Sequence, residues 1–178
     1  DGRAGARGGA VADLVKTLTD EQGGGWYEQV KRAFHRVEEE SRQSHGIFGI
    51  NCMVSAEMTY LARDIIRAVG EVRNEDPETK ERLRVIITSA GDPRPAAHHF
   101  KTVDPELKHF HVIPAKWLAE KAIDPAWYQK ASPGTKGDHL DGIVATGYEG
   151  GGHNSYEAVC STIVWAEMVD LVGAKMPV

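Results

Sequence analysis

Residues 141–153 read Asp-Gly-Ile-Val-Ala-Thr-Gly-Tyr-Glu-Gly-Gly-Gly-His, a short apolar run that opens into three glycines and ends on a histidine. A continuous apolar run between turn residues, here Ile143 to Ala145, is typical of a buried parallel strand. The glycines let the main chain approach a ligand closely, because no Cβ stands in the way. The stretch therefore predicts a β/α fold that delivers His153 to the carboxyl end of a strand, where such folds place their chemistry.

The residues after His153 predict a helix. Asn154 and Glu157 have the spacing of a capping box, and the apolar residues from Tyr156 to Val172 follow helical spacing. His153 would then lie immediately before a helix N-terminus, whose positive end favours a neutral imidazole. A neutral histidine is a usable base or hydrogen-bond donor near pH 7. The alternative is a flexible glycine loop with a solvated histidine.

The composition narrows the class of protein. A chain of 178 residues suits one domain, and its net charge of -5 argues against nucleic acid as a partner. No apolar run approaches the roughly 20 residues of a membrane span. Cys52 and Cys160 lie in apolar surroundings and are predicted to be buried free thiols, which fits a cytoplasmic protein. The partner expected from these features is a small-molecule substrate.

The rest of the chain alternates strands with helices. Residues 1–22 are predicted to be a flexible N-terminal segment with a short helix at 10–18, and an amphipathic helix follows at 26–42. The predicted strands are 47–54, 83–88, 109–114 and 141–146, with helices at 56–69 and 117–122 and the start of another strand at 176–178. Residues 74–80 are predicted to form a charged turn, and residues 124–138 a loop. This alternation favours an α/β fold with a parallel sheet.

Polar residues follow the predicted strands at their carboxyl ends. Asn51 is embedded in the first strand, Ser89 to Asp92 follow the second, and His153 follows the fourth. Gly91 and Asp92 are candidate cofactor-binding residues for this reason. An aspartate before a proline equally initiates a turn, so both interpretations of Asp92 stay open.

Three motifs together resemble the nitronate monooxygenase (2-nitropropane dioxygenase-like) family of FMN-dependent TIM barrels. Phe48-Gly49-Ile50-Asn51 resembles the family's Phe-Gly-Val-Asn strand, and Ser89-Ala90-Gly91-Asp92-Pro93 resembles its Gly-x-Pro turn. Gly147-Tyr148-Glu149-Gly150-Gly151-Gly152-His153 resembles its Gly-x-Glu-Ala-Gly-Gly-His signature. The likeness covers about residues 24 to 178, in the family's order.

The resemblance implies an FMN-dependent oxidoreductase that oxidises nitronates or nitroalkanes with oxygen. Residues 23–178 would form a partial FMN-binding (β/α)8 TIM barrel. Asn51 and the main chain at Gly151 and Gly152 would contact the flavin, Ser155 would reach the flavin or its phosphate, and His153 would face the substrate as catalytic base. The residues after Gly152 also resemble FMN-dependent enoyl-thioester reductases, which use NAD(P)H.

The chain departs from the family in ways that predict an incomplete barrel. A closed barrel of this type needs about 250 residues, and the first strand and the last strands are not recognisable here. Residues 92–109 look short for a helical crossover, with a helix start suggested only at 104–107. We therefore expect a missing part of a longer chain, or a homo-oligomer, to complete the sheet. A non-catalytic barrel fragment is the alternative.

Four histidines invite a metal interpretation. His109 and His111 would point to the same face of a strand, and His98 and His99 lie nearby in sequence. Zinc sites usually add cysteines or carboxylates at characteristic spacing, and the sequence has none at such spacing. We therefore expect exposed histidines and no metal, with a histidine-rich metal hydrolase as the alternative.

Overall fold

A four-stranded parallel sheet forms the centre of the structure. The computed structural model of the chain describes residues 25–130, 137–148 and 159–178. The strands lie in sequential order, and each neighbouring pair is parallel. They are β1 (Phe48–Val54), β2 (Leu83–Gly91), β3 (Lys108–Ile113) and β4 (Gly142–Ala145). The predicted α/β fold with a parallel sheet is confirmed, and its extension to a (β/α)8 barrel stays a prediction.

Helices connect these strands. In chain order they are α1 (Trp26–Ser41), α2 (Thr59–Glu75), α3 (Pro77–Arg82), α4 (Pro93–Val103), α5 (Lys116–Ala122), α6 (Pro125–Gln129) and α7 (Ser161–Val172). Crossovers between parallel strands are almost always right-handed, so a sequential strand order places the connecting helices on one face of the sheet. None of the helices in the described ranges is long and apolar enough to span a membrane.

Alternate strand residues separate the two faces of the sheet. The covered face lies under the helices and consists of buried side chains, namely Cys52, Ile86, Thr88, His109, His111, Ile113 and Ile143. The uncovered face carries side chains that are half-buried or exposed, namely Asn51, Met53, Ile87, Ser89, Phe110, Val112 and Val144. Burial of the covered face supplies the hydrophobic stabilisation of the sheet, and the uncovered face remains accessible.

Small and apolar side chains pack the helices onto the covered face. Ala119 of α5 and Met168 of α7 lie in one buried cluster with Ile113 and Ile143. Alanine on the facing helix surface allows a close approach to the sheet, and Met168 fills the space between. This packing fixes β3 and β4 relative to their helices.

Three Asp-Pro pairs begin helices. In each pair the aspartate is the N-cap, and its carboxylate accepts a backbone N–H from the first turn at 2.9 to 3.0 Å. The proline occupies the start of the helix, where its missing N–H costs nothing. The pairs are Asp76-Pro77 in α3, Asp92-Pro93 in α4 and Asp124-Pro125 in α6.

Several predicted connections are wrong because of these caps. The predicted turn at 74–80 is the end of α2 and the start of α3, and the predicted loop at 124–138 contains α6. The segment at 92–109, which looked short for a crossover, contains α4. The predicted helix start at 104–107 is a turn, because the Asp104 carboxylate accepts the Glu106 N–H and is also bound by Arg73.

The last helix begins later than its apolar spacing predicts. The predicted start is Tyr156, whereas α7 begins at Ser161 with Cys160 as an extended N-cap residue. Residues 149–158 lie outside the described residues, and the proposed capping box of Asn154 and Glu157 is among them. Because α7 begins at Ser161, its N-terminus does not support the prediction that a helix dipole keeps His153 neutral.

The chain forms two compact units, residues 1–45 and residues 46–178. In the first, α1 confirms the predicted amphipathic helix, with an exposed ion pair Arg36–Glu40 at 2.8 Å and a second pair at 2.7 Å between Arg42 and the buried Glu38. The predicted flexible segment and short helix within residues 1–22 lie outside the described residues. In the second unit, the chain returns after α7 to the free edge of β4, where the Ile143 N–H donates to the Pro177 carbonyl at 3.0 Å.

Candidate functional site

Asn51 and Ser89 lie beside each other on the uncovered face. The Ser89 Oγ donates to the Asn51 Oδ1 across 3.2 Å, and Asn51 is exposed. Ser89 is paired in register with Met53, so Asn51 is its diagonal neighbour on the same face. Asn51 was predicted to contact a cofactor and is placed on an accessible surface. Ser89 was not among the predicted site residues, although it follows a predicted strand.

A bulge ends the pairing of β1 with β2. Met53 pairs with Ser89 and Val54 pairs with Gly91, so Ala90 is the extra residue. Ala90 has a φ of 51° and Gly91 a φ of 106°, both in the left-handed region. Bulges re-aim side chains and are frequent next to active sites. Here the bulge lies directly after Ser89, at the carboxyl end of the strand.

We expect Gly91→Ala to lower the free energy of unfolding by about 2–3 kcal/mol. A Cβ at this position would lie 2.6 Å from the Val54 carbonyl oxygen and 2.9 Å from the Ser55 nitrogen, and the φ is unfavourable for alanine. Urea unfolding measures the loss. Ala90→Gly is the matched control, expected within about 1 kcal/mol of the native protein because relief of strain offsets the entropy of glycine. A Gly91→Ala variant as stable as the native protein would contradict this role.

Asp92 holds the start of α4. Its Oδ1 accepts the Arg94 backbone N–H at 3.0 Å and the Arg94 Nε at 2.8 Å, and its Oδ2 accepts the Nη2 at 2.7 Å. Burial alone would raise the pKa of Asp92, but the hydrogen bonds and charge of Arg94 hold it below its usual value. Both carboxylate oxygens are engaged within the fold, which supports the turn interpretation. Cofactor binding by Gly91 and Asp92 stays a prediction.

The residues on either side of the segment 149–158 lie next to each other, at the carboxyl end of β4 and the start of α7. A Cβ on Gly147 would lie 2.5 Å from the Ser161 Cα, so glycine is needed for β4 to approach the start of α7. The Tyr148 N–H donates to the Val159 carbonyl at 3.2 Å. Both ends of residues 149–158 are thus fixed beside the carboxyl end of β4. The predicted site residues His153, Gly151, Gly152 and Ser155 lie in that segment, outside the described residues, and their roles stay predictions.

Two histidines form a buried polar cluster beneath α4. The Thr88 Oγ lies 2.7 Å from the His109 Nε2 and 2.8 Å from the His111 Nδ1. The His109 ring packs against Phe100 of α4 at 5.5 Å, and its Nδ1 has no hydrogen-bond partner within the described residues. The prediction that both histidines share a face is confirmed. Their predicted exposure is wrong, because that face is the covered one.

Burial keeps both imidazoles uncharged. It lowers the pKa of His109 to about 3, with a further contribution from the neighbouring His111, and it lowers the pKa of His111 to about 4. The carboxylates of Asp141 and Asp92 oppose these shifts without overcoming them. Each neutral ring can then donate to, or accept from, the shared Thr88 hydroxyl. Both rings therefore contribute hydrogen bonds and packing to the core, and the buried His109 Nδ1 is the atom without a hydrogen-bond partner among the described residues.

The histidines do not assemble with other ligand side chains. Across residues 25–130, 137–148 and 159–178, no three histidines, cysteines or carboxylates come close enough to hold a metal ion. Both cysteines are free, as predicted, but Cys160 is half-buried whereas Cys52 is buried. Burial raises the pKa of the Cys52 thiol to about 12, so this side chain is not a nucleophile at neutral pH.

No protein-family model matches this chain, and comparison with curated proteins and with solved structures gives no match either. The resemblance to nitronate monooxygenases accordingly stays a prediction. The candidate site is defined by the geometry of the uncovered face, where the Asn51–Ser89 pair is the polar feature.

Proposed function

We propose that this chain is an FMN-dependent oxidoreductase that oxidises nitronates or nitroalkanes with oxygen. The observation that carries the proposal is the exposed amide of Asn51, paired with Ser89, on a largely apolar sheet face opposite the helices that connect the strands. A flat heteroaromatic ring needs apolar contact area and a few polar partners at its edge. FMN, when bound, supplies hydride and electron-transfer chemistry.

The sheet topology supports a barrel scaffold for this function. A parallel sheet in sequential order, with its helices on one face, is the arrangement of a (β/α)8 barrel, whose interior is the other face. The Pro177 carbonyl accepts the Ile143 N–H beside β4, where a further barrel strand would lie. Asn51 and Ser89 would then face the interior towards the carboxyl ends of the strands, where barrel enzymes carry out their chemistry.

The side chains around Asn51 suit the ring of FMN. Met53 is 37% exposed, and Ile87 and Phe110 are half-buried on the same face. A Cβ on Gly142 would lie 2.2 Å from the Phe110 ring, so the ring can lie this close to the main chain of β4 only because that residue is glycine. The result is an apolar surface with an amide and a hydroxyl at one edge. Such a surface fits the ring of FMN, but it has no side chain that could act as the catalytic base.

His153 is the proposed catalytic base. No side chain of the uncovered face, as defined above, titrates near neutral pH, so a base must come from an adjacent loop. The segment that carries His153 is fixed at both ends beside β4. An uncharged imidazole there accepts the proton from the carbon next to the nitro group and leaves the nitronate. Asn51, Gly151, Gly152 and Ser155 are the proposed contacts of FMN.

Titration of the purified protein with FMN tests the proposal. We expect saturable quenching of flavin fluorescence, and bleaching of the bound flavin by a nitronate without oxygen. Admission of oxygen restores the absorption bands. Faster bleaching by NADPH than by a nitronate would favour the enoyl-thioester reductase alternative. A native protein that binds no FMN would contradict the proposal.

His153→Asn separates the base from the rest of the site. Asparagine keeps a polar side chain and removes the basic nitrogen, so FMN binding is expected to be unchanged. Turnover of a neutral nitroalkane is expected to fall about a hundredfold, as for loss of a general base. A preformed nitronate needs no deprotonation and is expected to react nearly as in the native protein. Equal turnover of both substrates by both proteins would remove His153 from the mechanism.

A further inference from the structure

We infer that Ser89 is a positioning residue that orients the Asn51 amide so that its amino group, a donor, faces the bound ligand. The inference rests on the proposed function and deepens it. It predicts which kind of ligand atom lies against Asn51, namely an acceptor such as a ring carbonyl or an unprotonated ring nitrogen.

In the structure the hydrogen bond engages the oxygen of the Asn51 amide. The Ser89 hydroxyl donates to the Asn51 Oδ1 at 3.2 Å, so this oxygen already has a partner. The Asn51 Nδ2 has none within the part of the chain that the structure describes, and the side chain is exposed. An amide whose oxygen is engaged presents its two N–H groups to whatever approaches the uncovered face.

The bulge in β2 follows directly after Ser89. From Val85 to Ser89 the second strand stays in register with Gly49 to Met53, so Met53, Ser89 and Asn51 share one face. Ala90 is then inserted, and Gly91 packs against the Val54 carbonyl. Without the inserted residue the strand would continue past Ser89 in simple alternation. The left-handed conformation of Ala90 thus marks where the regular register ends, directly after the residue that contacts Asn51.

Two N–H donors at this position favour a ligand edge that carries acceptors. The isoalloxazine ring of FMN has such an edge at its carbonyls, and that edge gains negative charge when the ring is reduced. Donors aimed at developing charge stabilise it, which raises the reduction potential of the bound flavin. If the amide turned over, its oxygen would face the same acceptors and oppose both binding and reduction.

Variants of Ser89 test the inference directly. Ser89→Ala removes the hydroxyl and frees the amide to turn, so FMN binding is expected to weaken about three- to tenfold, the effect of one hydrogen bond, and the flavin potential to fall. Ser89→Thr keeps the hydroxyl on a strand-favouring residue and is expected to restore both. Asn51→Asp keeps the shape but replaces the donors by a carboxylate, and it is expected to weaken binding further.

A measurement without flavin keeps the inference separate from the proposed function. The side-chain amide signals of Asn51 in nitrogen-15 NMR spectra are expected to shift in Ser89→Ala and to return in Ser89→Thr. Unchanged amide signals in Ser89→Ala would overturn the inference whether or not FMN binds. Native and Ser89→Ala proteins with equal FMN affinity and equal potential would overturn it while leaving the proposed function intact. A native protein that binds no FMN overturns both the proposed function and the ligand assigned to Asn51.

Discussion

An Arg73→Met variant is expected to lose about 3–5 kcal/mol of unfolding free energy. Arg73 lies near the end of α2 and is 2% exposed. Its guanidinium donates to the Asp104 Oδ2 at 3.0 and 2.8 Å, to the Lys80 carbonyl at 2.6 Å, and to the Leu83 carbonyl. Removal of the arginine takes away both hydrogen bonds to the Asp104 Oδ2 and one donor from each of the two carbonyls, so the desolvation of these groups is no longer offset.

Chemical denaturation of two further variants shows whether this explanation is correct. Arg67→Met lies on the same helix and breaks the exposed Arg67–Glu71 pair, for which the expected loss is at most about 0.5 kcal/mol. In Arg73→Met combined with Asp104→Leu, no buried charge is stranded, and part of the stability is expected to return. A single variant that loses no more than Arg67→Met would show that the buried pair does not support the fold.

Mild acid is expected to destabilise the protein through the Thr88 cluster. The pKa of His109 falls from 6.5 to about 3 on folding, and that of His111 falls from 6.5 to about 4. Between these values the unfolded chain binds protons that the folded chain excludes, so stability is complete above about pH 6.5 and is lost as the pH falls. At about 1.4 kcal/mol per pKa unit, His109 alone contributes a loss on the order of 3 kcal/mol by pH 4, because the loss stays incomplete until the pH falls below about 3.

Unfolding free energies measured between pH 7 and pH 4 test this window. The pKa values of Asp92, Asp104 and Asp141 are held below their usual range, so their contribution is lost only at lower pH. Glutamine at both 109 and 111 keeps hydrogen-bonding groups beside Thr88 and is expected to flatten the curve above pH 4. His45→Gln changes an exposed histidine and serves as control. A double variant with the native slope would assign the acid sensitivity to other groups.

The strands were predictable from sequence because their signal is local. Ile143 to Ala145 form an apolar run between turn residues, and Asn51 is a polar residue inside another such run. These patterns correctly predicted four parallel strands and a buried Cys52. The contact of Asn51 with Ser89 was not predictable, because it depends on strand register and on a bulge at Ala90. Alanine carries no local signal for a left-handed conformation.

The segments between the strands were predicted poorly because an Asp-Pro pair is found both at the start of a helix and in a turn. An aspartate before a proline caps a helix or initiates a turn, and both uses need the same carboxylate and the same fixed proline φ. Asp92 caps α4, whereas Asp104 makes a turn and binds Arg73, which is 31 residues away in sequence. The residues next to Asp104 in the sequence give no sign of this contact with Arg73, so the local pattern cannot distinguish a turn from a helix cap.

The sequential order of the strands has a consequence for how the chain is made. Each strand pairs with the one synthesised before it, so every step closes a loop of only one strand–helix unit. Nascent chains fold from their amino-terminal side while the ribosome adds residues. A strand that emerges therefore meets a template that is already complete and needs no segment still to be translated. Assembly of the sheet can keep pace with synthesis, one unit at a time.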